Sequence, residues 1–162
     1  MAKITFSNRN NDFYQSVKHA VDDYFAKTGL KKTGDWRLYS KTIILILTAV
    51  SIYVALMFTP INDWLALLLS LVMGFVLASI GFCVMHDANH GSYSTKPWLN
   101  DLLGLTLNAM GGNSYFWKQK HNIIHHTYTN VDGVDDDIAK SPIIRQCESQ
   151  RWVPAHKVQY LY

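Results

Sequence analysis

Two short stretches of this 162-residue chain hold five of its seven histidines. Residues 86–90 read HDANH and residues 121–126 read HNIIHH. His86 and His90 are spaced i, i+4, and so are His121 and His125. On an α-helix this spacing puts two imidazoles on one face, about 40° apart in azimuth and about 6 Å apart along the axis. His126 is turned by about 100° from His125. Adjacent imidazoles on one helix do not readily bind the same ion, but they can serve two neighbouring ions. Five imidazoles in this pattern point to metal binding, and imidazole suits iron, zinc and copper. No cysteine lies in either stretch, which disfavours copper(I) and iron–sulfur clusters. Carboxylate di-iron bundles use Glu together with Glu-x-x-His. That pattern is absent, so the site reads as all-nitrogen. HDANH also resembles the H-E-x-x-H of zinc proteases, with Asp87 in the place of Glu. Asp87 is one methylene short for that general base, and HNIIHH would be left without a role.

The elements that must position these histidines are strongly apolar. TIILILTAVSIYVALMFTPI (42–61) and WLALLLSLVMGFVLASIGFCVM (64–85) contain no charged residue. About 20 apolar helical residues cross a bilayer's hydrocarbon. A soluble helix of that length would show a polar face, and neither stretch does. Pro60 and Asn62 turn the chain between them, which predicts a transmembrane helical hairpin. His86 and His90 follow its second span directly. Lys27, Lys31, Lys32, Arg37 and Lys41 precede the first span, and Lys96, Lys118 and Lys120 follow the second. The turn has neither Lys nor Arg. The positive-inside rule therefore places the N-terminus and both histidine stretches in the cytoplasm. Trp36, Tyr39 and Trp64 fall where an interfacial aromatic belt is expected. Gly74 and Ala78 form a small-xxx-small pair suited to close helix packing. Cys83, inside the second apolar run, reads as a small buried hydrophobe.

The remaining segments are shorter. Residues 11–27 form an amphipathic helix bearing a solvated His19. The N-terminus lacks the apolar core and cleavage site of a signal peptide. Residues 99–110 read as an interfacial or re-entrant helix broken by Gly111 and Gly112. Residues 113–128 form a helix carrying HNIIHH, 130–142 an acidic loop, and 143–162 a helical tail at the membrane surface with an isolated surface His156. The net charge of +3 comes from scattered basic residues, so no nucleic-acid stripe is present. Cys83 and Cys147 match no paired-thiolate spacing. The fold class is all-α integral membrane: one transmembrane hairpin plus cytosolic or interfacial helices carrying the histidine stretches.

HDANHG (86–91) and HNIIHHTYTN (121–130) resemble the first and second histidine boxes of the integral-membrane fatty acid desaturases. DGVDDDI (132–138) and QRWVPAHKVQYLY (150–162) resemble the front-end group of that family, which acts on acyl-CoA or acyl-lipid chains. The resemblance runs from about residue 36 to the end. It divides the chain into a cytosolic N-terminal segment, 1–35, and part of a desaturase domain, 36–162. It implies two membrane hairpins carrying a cytosolic di-iron site. His86, His90, His121, His125 and His126 would be iron ligands. Asp87 would be a carboxylate orienting an imidazole, and Trp117 an aromatic beside the acyl path. The implied activity is O2-dependent insertion of a cis double bond into an acyl chain. Electrons would come from an external donor such as cytochrome b5 or ferredoxin, because no haem-binding HPGG occurs in residues 1–35. The family's third histidine box is absent, so the chain is expected to be an N-terminal portion, inactive alone. A histidine-box hydroxylase or related oxygenase and a non-catalytic membrane metal-binding protein share these features.

Overall fold

The computed structural model describes residues 11–131, 133–135, 137, 144–146 and 148–161. Among them there is no β-strand. The helices are α1 (Asn11–Thr28), α2 (Trp36–Phe58), α3 (Asp63–Asn89), α4 (Pro97–Gly104), α5 (Thr106–Ala109) and α6 (Ser114–Trp117). A π-helical stretch, π1 (Gly81–Met85), lies inside α3, and a second, π2 (Lys118–His125), continues α6. A 3₁₀ helix at Pro154–Leu161, kinked at Val158, follows.

The two spans start and stop at side-chain signals. Asp35 caps α2 by accepting the Arg37 N–H over 2.9 Å. The helix thus begins ahead of the charge-free run, with Arg37 and Lys41 on its first turns. It ends at Phe58 because Thr59 is extended (φ −120, ψ 139), the conformation favoured before a proline, here Pro60. Asn62 then caps α3 through the Leu65 N–H, also at 2.9 Å. α3 does not stop at Met85. It runs on to Asn89, so the first histidine box is the last turn of a span rather than a segment after it.

α2 has 23 residues and α3 has 27, and only 17% of the most apolar stretch of each is buried. Ile44, Leu47, Met57, Leu68, Leu71 and Phe75 point outward. An exposed apolar surface of this extent needs lipid to cover it. Trp36 and Trp64 are exposed near the helix ends, as an interfacial belt requires. Gly74 and Ala78 also face outward, and a Cβ on Gly74 would meet no neighbour. The close packing expected of that pair is not made among the described residues. Cys83 is likewise half-exposed rather than buried.

The core sits at the histidine end of the hairpin. Val76, Ile80, Val84, Ala88 and Tyr93 form it, with Leu38, Tyr39, Leu45, Ala49, Leu103 and Met110 packed around. Tyr93 is the deepest large side chain. Its hydroxyl donates to Thr42 Oγ1 on α2 over 2.7 Å, and its carbonyl accepts the Gly34 N–H over 3.1 Å. A Cβ on Gly34 would lie 2.9 Å from that carbonyl, so only glycine permits the approach. The expected 99–110 helix is two short pieces, α4 and α5, and Gly111 (φ +90) follows them. In the tail, residues 144–146 and 148–153 are not helical, and helix is confined to Pro154–Leu161. His156 is half-buried there and its Nδ1 accepts the Val153 N–H over 3.1 Å. His19 is exposed, as expected. Of the acidic loop, residues 132, 136 and 138–142 lie outside the described residues.

Candidate metal centre

Both histidine boxes sit on widened turns. The His86 N–H donates to Gly81 O and the His126 N–H to His121 O, i→i−5 bonds in place of i→i−4. A π turn takes in one extra residue and rotates everything after it against an α-helical frame; such turns are frequent at functional sites. After π1 the chain returns to α bonding, with His90 N–H on His86 O at 3.0 Å. In π2, His121 and His125 stack nearly parallel, with ring centroids 4.9 Å apart and planes 21° apart.

The two boxes meet. His121 is the hub, its ring centroid 5.2 Å from His86, 5.1 Å from His90, 4.9 Å from His125 and 5.0 Å from His126. His90 lies 4.5 Å from His86 and 4.8 Å from His126. All five imidazoles thus converge, although His90 and His121, the nearest members of the two boxes, are 31 residues apart in sequence. Trp117 stacks on His121 at 4.3 Å and stands edge-on to His86 and His90, closing one side of the cluster. Asn122 Nδ2 ties the boxes together by donating to the Asn89 carbonyl over 2.9 Å. The side-chain oxygens of Asn89 and Asn122 are buried and have no protein partner.

The imidazoles are oriented from outside the cluster. His125 Nδ1–H donates to Asp135, 2.9 Å from each carboxylate oxygen, and His121 Nδ1–H donates to Asp137 Oδ2 over 2.6 Å. Asp87 Oδ1 lies 3.3 Å from His86 Nδ1. The Asp135 side chain is fully buried and also accepts the Asn130 and Asp137 N–H groups at 2.9 and 3.0 Å. Lys120 pairs with Asp137 at 2.8 Å. Burial alone would push both carboxyls up. The hydrogen bonds from His125 and the two backbone N–H groups outweigh it at Asp135, and Lys120 and His121 outweigh it at Asp137, so both stay below the usual carboxylate range. Burial pushes His90 down to about 4, with His86, His121 and His126 adding to it. Burial also lowers His121, against the opposing pull of Asp137.

This arrangement fits a metal. A ligating imidazole must be neutral, and it usually donates its other ring N–H to a carboxylate. His121 and His125 do so through Nδ1, which leaves Nε2 free. Two groups of potential ligand atoms lie within 4.8 Å of one another: His86, His90 and His121, and His121, His125 and Asp137. His121 belongs to both, so the donors form one connected site. His126 belongs to neither group but reaches the cluster through His90. Asp135 and Asp137 were not singled out from the sequence as partners of particular imidazoles. The acidic run after the second box was the only signal, and it does not say which carboxylate meets which ring.

A family model described as Fatty acid desaturase matches residues 62–160. The chain is 35% identical over 161 residues to an sn-1 linoleoyl-lipid 6-desaturase of Arthrospira platensis, and 35% identical over 160 residues to the one from Synechocystis sp.; each match covers 99% of this chain and 44% of the relative. It is 31% identical over 156 residues to an acyl-lipid (8-3)-desaturase of Physcomitrium patens, covering 94% of this chain and 32% of that one. The chain therefore spans less than half the length of these curated relatives. No solved structure matches.

Proposed function

The chain belongs to the fatty acid desaturase family, and on that premise we propose that it forms the histidine-rich half of an O2-dependent acyl-lipid desaturase with a di-iron site. The observation that carries the reading is the convergence of five imidazoles at one end of a membrane hairpin. Its relatives' names favour an acyl chain on a lipid over one on CoA. Bound iron would supply the O2 chemistry that removes two hydrogens from neighbouring CH2 groups, which no side chain can do.

The protein's own residues prepare that chemistry. His86, His90, His121, His125 and His126 hold the metal as neutral imidazoles, with Asp137 within reach of the same donors. Asp135 and Asp137 accept the Nδ1–H groups of His125 and His121, with Asp87 beside His86 Nδ1, and so fix which nitrogen faces inward. Trp117 covers the cluster against water. A crevice of about 190 Å³ between α2, α3 and α5, lined by Ala49, Leu77, Ile80, Ala109 and Met110 among others, offers an apolar path for an acyl chain. Ile80 lies six residues before His86, about 9 Å along a helix axis. Two ions need roughly eight or more donors, so the five imidazoles and Asp137 would share them with further ligands. Reductant reaches the site through a separate electron-transfer protein from the cytoplasmic side.

The test is iron content and lipid profile of the protein expressed from its complete gene in cells whose membrane lipid carries linoleoyl chains, the substrate in the names of two of its relatives. Iron is expected to copurify, and new cis double bonds to appear in membrane lipid. His121→Ala should abolish both, because His121 belongs to both donor groups. Iron content unchanged by His121→Ala would overturn the metal site. Hydroxylated chains with no new double bond would overturn the desaturase reading and leave the site standing.

A further inference from the structure

Helix α1 buries none of its residues. Phe13, Tyr14, Val17, Val21 and Tyr24 are all exposed, Phe13 by 78%. At about 100° per residue, Phe13, Tyr24, Val17, Val21, Tyr14 and Phe25 follow one another around an arc of about 120°. Lys18 and Lys27 fall at the two edges of that arc. Asp12, Asp22 and Asp23 fall on the opposite half of the helix. This charge order has a physical meaning. A lysine at the edge of an apolar face lays its stem along that face and reaches outward with its ammonium, to the level of lipid phosphates. Carboxylates on the far side stay in water, away from those phosphates. A helix so arranged fits the boundary between head groups and acyl chains.

The linker sets α1 at that boundary. Gly29 (φ +66) ends the helix. Lys32 pairs with Asp22 and places its Nζ 5.5 Å from the Phe25 ring centroid, folding the linker back onto α1. At the other end the Gly34 N–H is bound to Tyr93 O, in the turn that follows the first histidine box. Trp36 opens α2 there, 72% exposed, with the Arg37 guanidinium 5.9 Å from its ring. Trp and Arg at a span end mark the interface. α1 is therefore tied, through residues 29–35, to the depth at which both spans leave the bilayer.

We propose that α1 lies on the membrane leaflet at the histidine end of the hairpin. Its apolar face is immersed at the acyl boundary, and Lys18 and Lys27 meet lipid phosphates. The occupant of the face is lipid, because the apolar arc is edged by lysines and the linker that carries exposed Leu30 joins it to Trp36 at the start of a span whose apolar surface needs lipid to cover it.

Fluorescence quenching of the purified protein in phosphatidylcholine nanodiscs tests this. With Cys83 and Cys147 replaced by Ser, a single nitrobenzoxadiazole-labelled cysteine is placed at Val17, Val21, Gln15 or His19, with Leu47 of α2 as the deep reference. Lipid carrying a doxyl group near the head group should quench the labels at 17 and 21 by at least roughly twofold more than those at 15 and 19, and aqueous iodide should give the reverse order. Lys18→Glu combined with Lys27→Glu should bring the lipid quenching at 17 and 21 towards that at 15 and 19. Equal iodide access on both faces would overturn the proposal, since the helix would then stand in water. Protection of 17 and 21 from both quenchers would overturn it too, because protein would cover the face. Quenching unmoved by the double lysine substitution would remove the phosphate contacts from it.

Discussion

The two histidine boxes carry similar residues and are held by different forces. His86 and His90 end a span whose neighbouring residues are packed. Val84 is 0% exposed, Ala88 1%, and Asn89 and Tyr93 are buried beside them. Buried Asn100 fixes the turn after His90: it accepts the Ser94 N–H at 2.8 Å and donates to the Gly91 and Ser94 carbonyls at 3.2 and 2.8 Å. The carboxylate beside His86, Asp87, is part-exposed and 3.3 Å from its imidazole. The second box has no such support. Neither α6 nor π2 contains a buried residue. His121 and His125 are fixed instead by Asp137 and Asp135 of the loop that follows. A helix anchored in a bilayer supplies rigidity through packing, whereas a short surface helix needs charge-assisted hydrogen bonds to hold a ring in place.

That contrast can be broken most directly at the carboxylates. Asp135→Ala should weaken metal binding by about 10–100-fold, the usual effect of losing a carboxylate behind a ligating imidazole. Asp87→Ala should cost much less, because its contact is longer and wetter. Competition with a chromophoric chelator compares the two, and equal losses would erase the difference between the boxes. Asn100→Ala probes the packed side. It strands the Ser94 N–H and two carbonyls in a buried turn, for an expected loss of about 1–3 kcal/mol in stability, read by denaturant titration in detergent. A smaller effect than that of an exposed substitution would show that packing does not hold the first box. The smallest change is expected on the lipid face. A Cβ at Gly74 meets nothing within 4 Å, so Gly74→Ala should leave the protein unharmed or stabilise it by about 0.5–1 kcal/mol through helix propensity. A clear loss of thermal stability would reveal that a partner helix packs there.

Much of the architecture was legible from residue order. Two charge-free runs around Pro60 specify a hairpin because lipid demands length and apolarity, and both are local properties. The span ends were less legible. Requiring a run free of charge delayed the start of α2, while Asp35 caps it ahead of Arg37 and Lys41. Cys83 and the Gly74–Ala78 pair were misjudged for a related reason: apolar runs show no buried side when lipid surrounds them. The π turns left no trace in the pattern, since i→i+5 and i→i+4 bonding differ by one residue per turn over very short stretches.

The sequence by itself determined that five imidazoles stand at helical spacing, two of them at the end of a membrane span, and that the chain belongs with the desaturases. Only the tertiary structure decided that His121 is the hub, that His90 rather than His125 reaches His126 most closely, and that Asp135 and Asp137, 10 and 16 residues beyond their imidazoles, hold the second box. Spacing along a helix is fixed by the backbone and can be counted. Which side chains meet across two helices and a loop depends on how those elements pack, and no single stretch of residues encodes it.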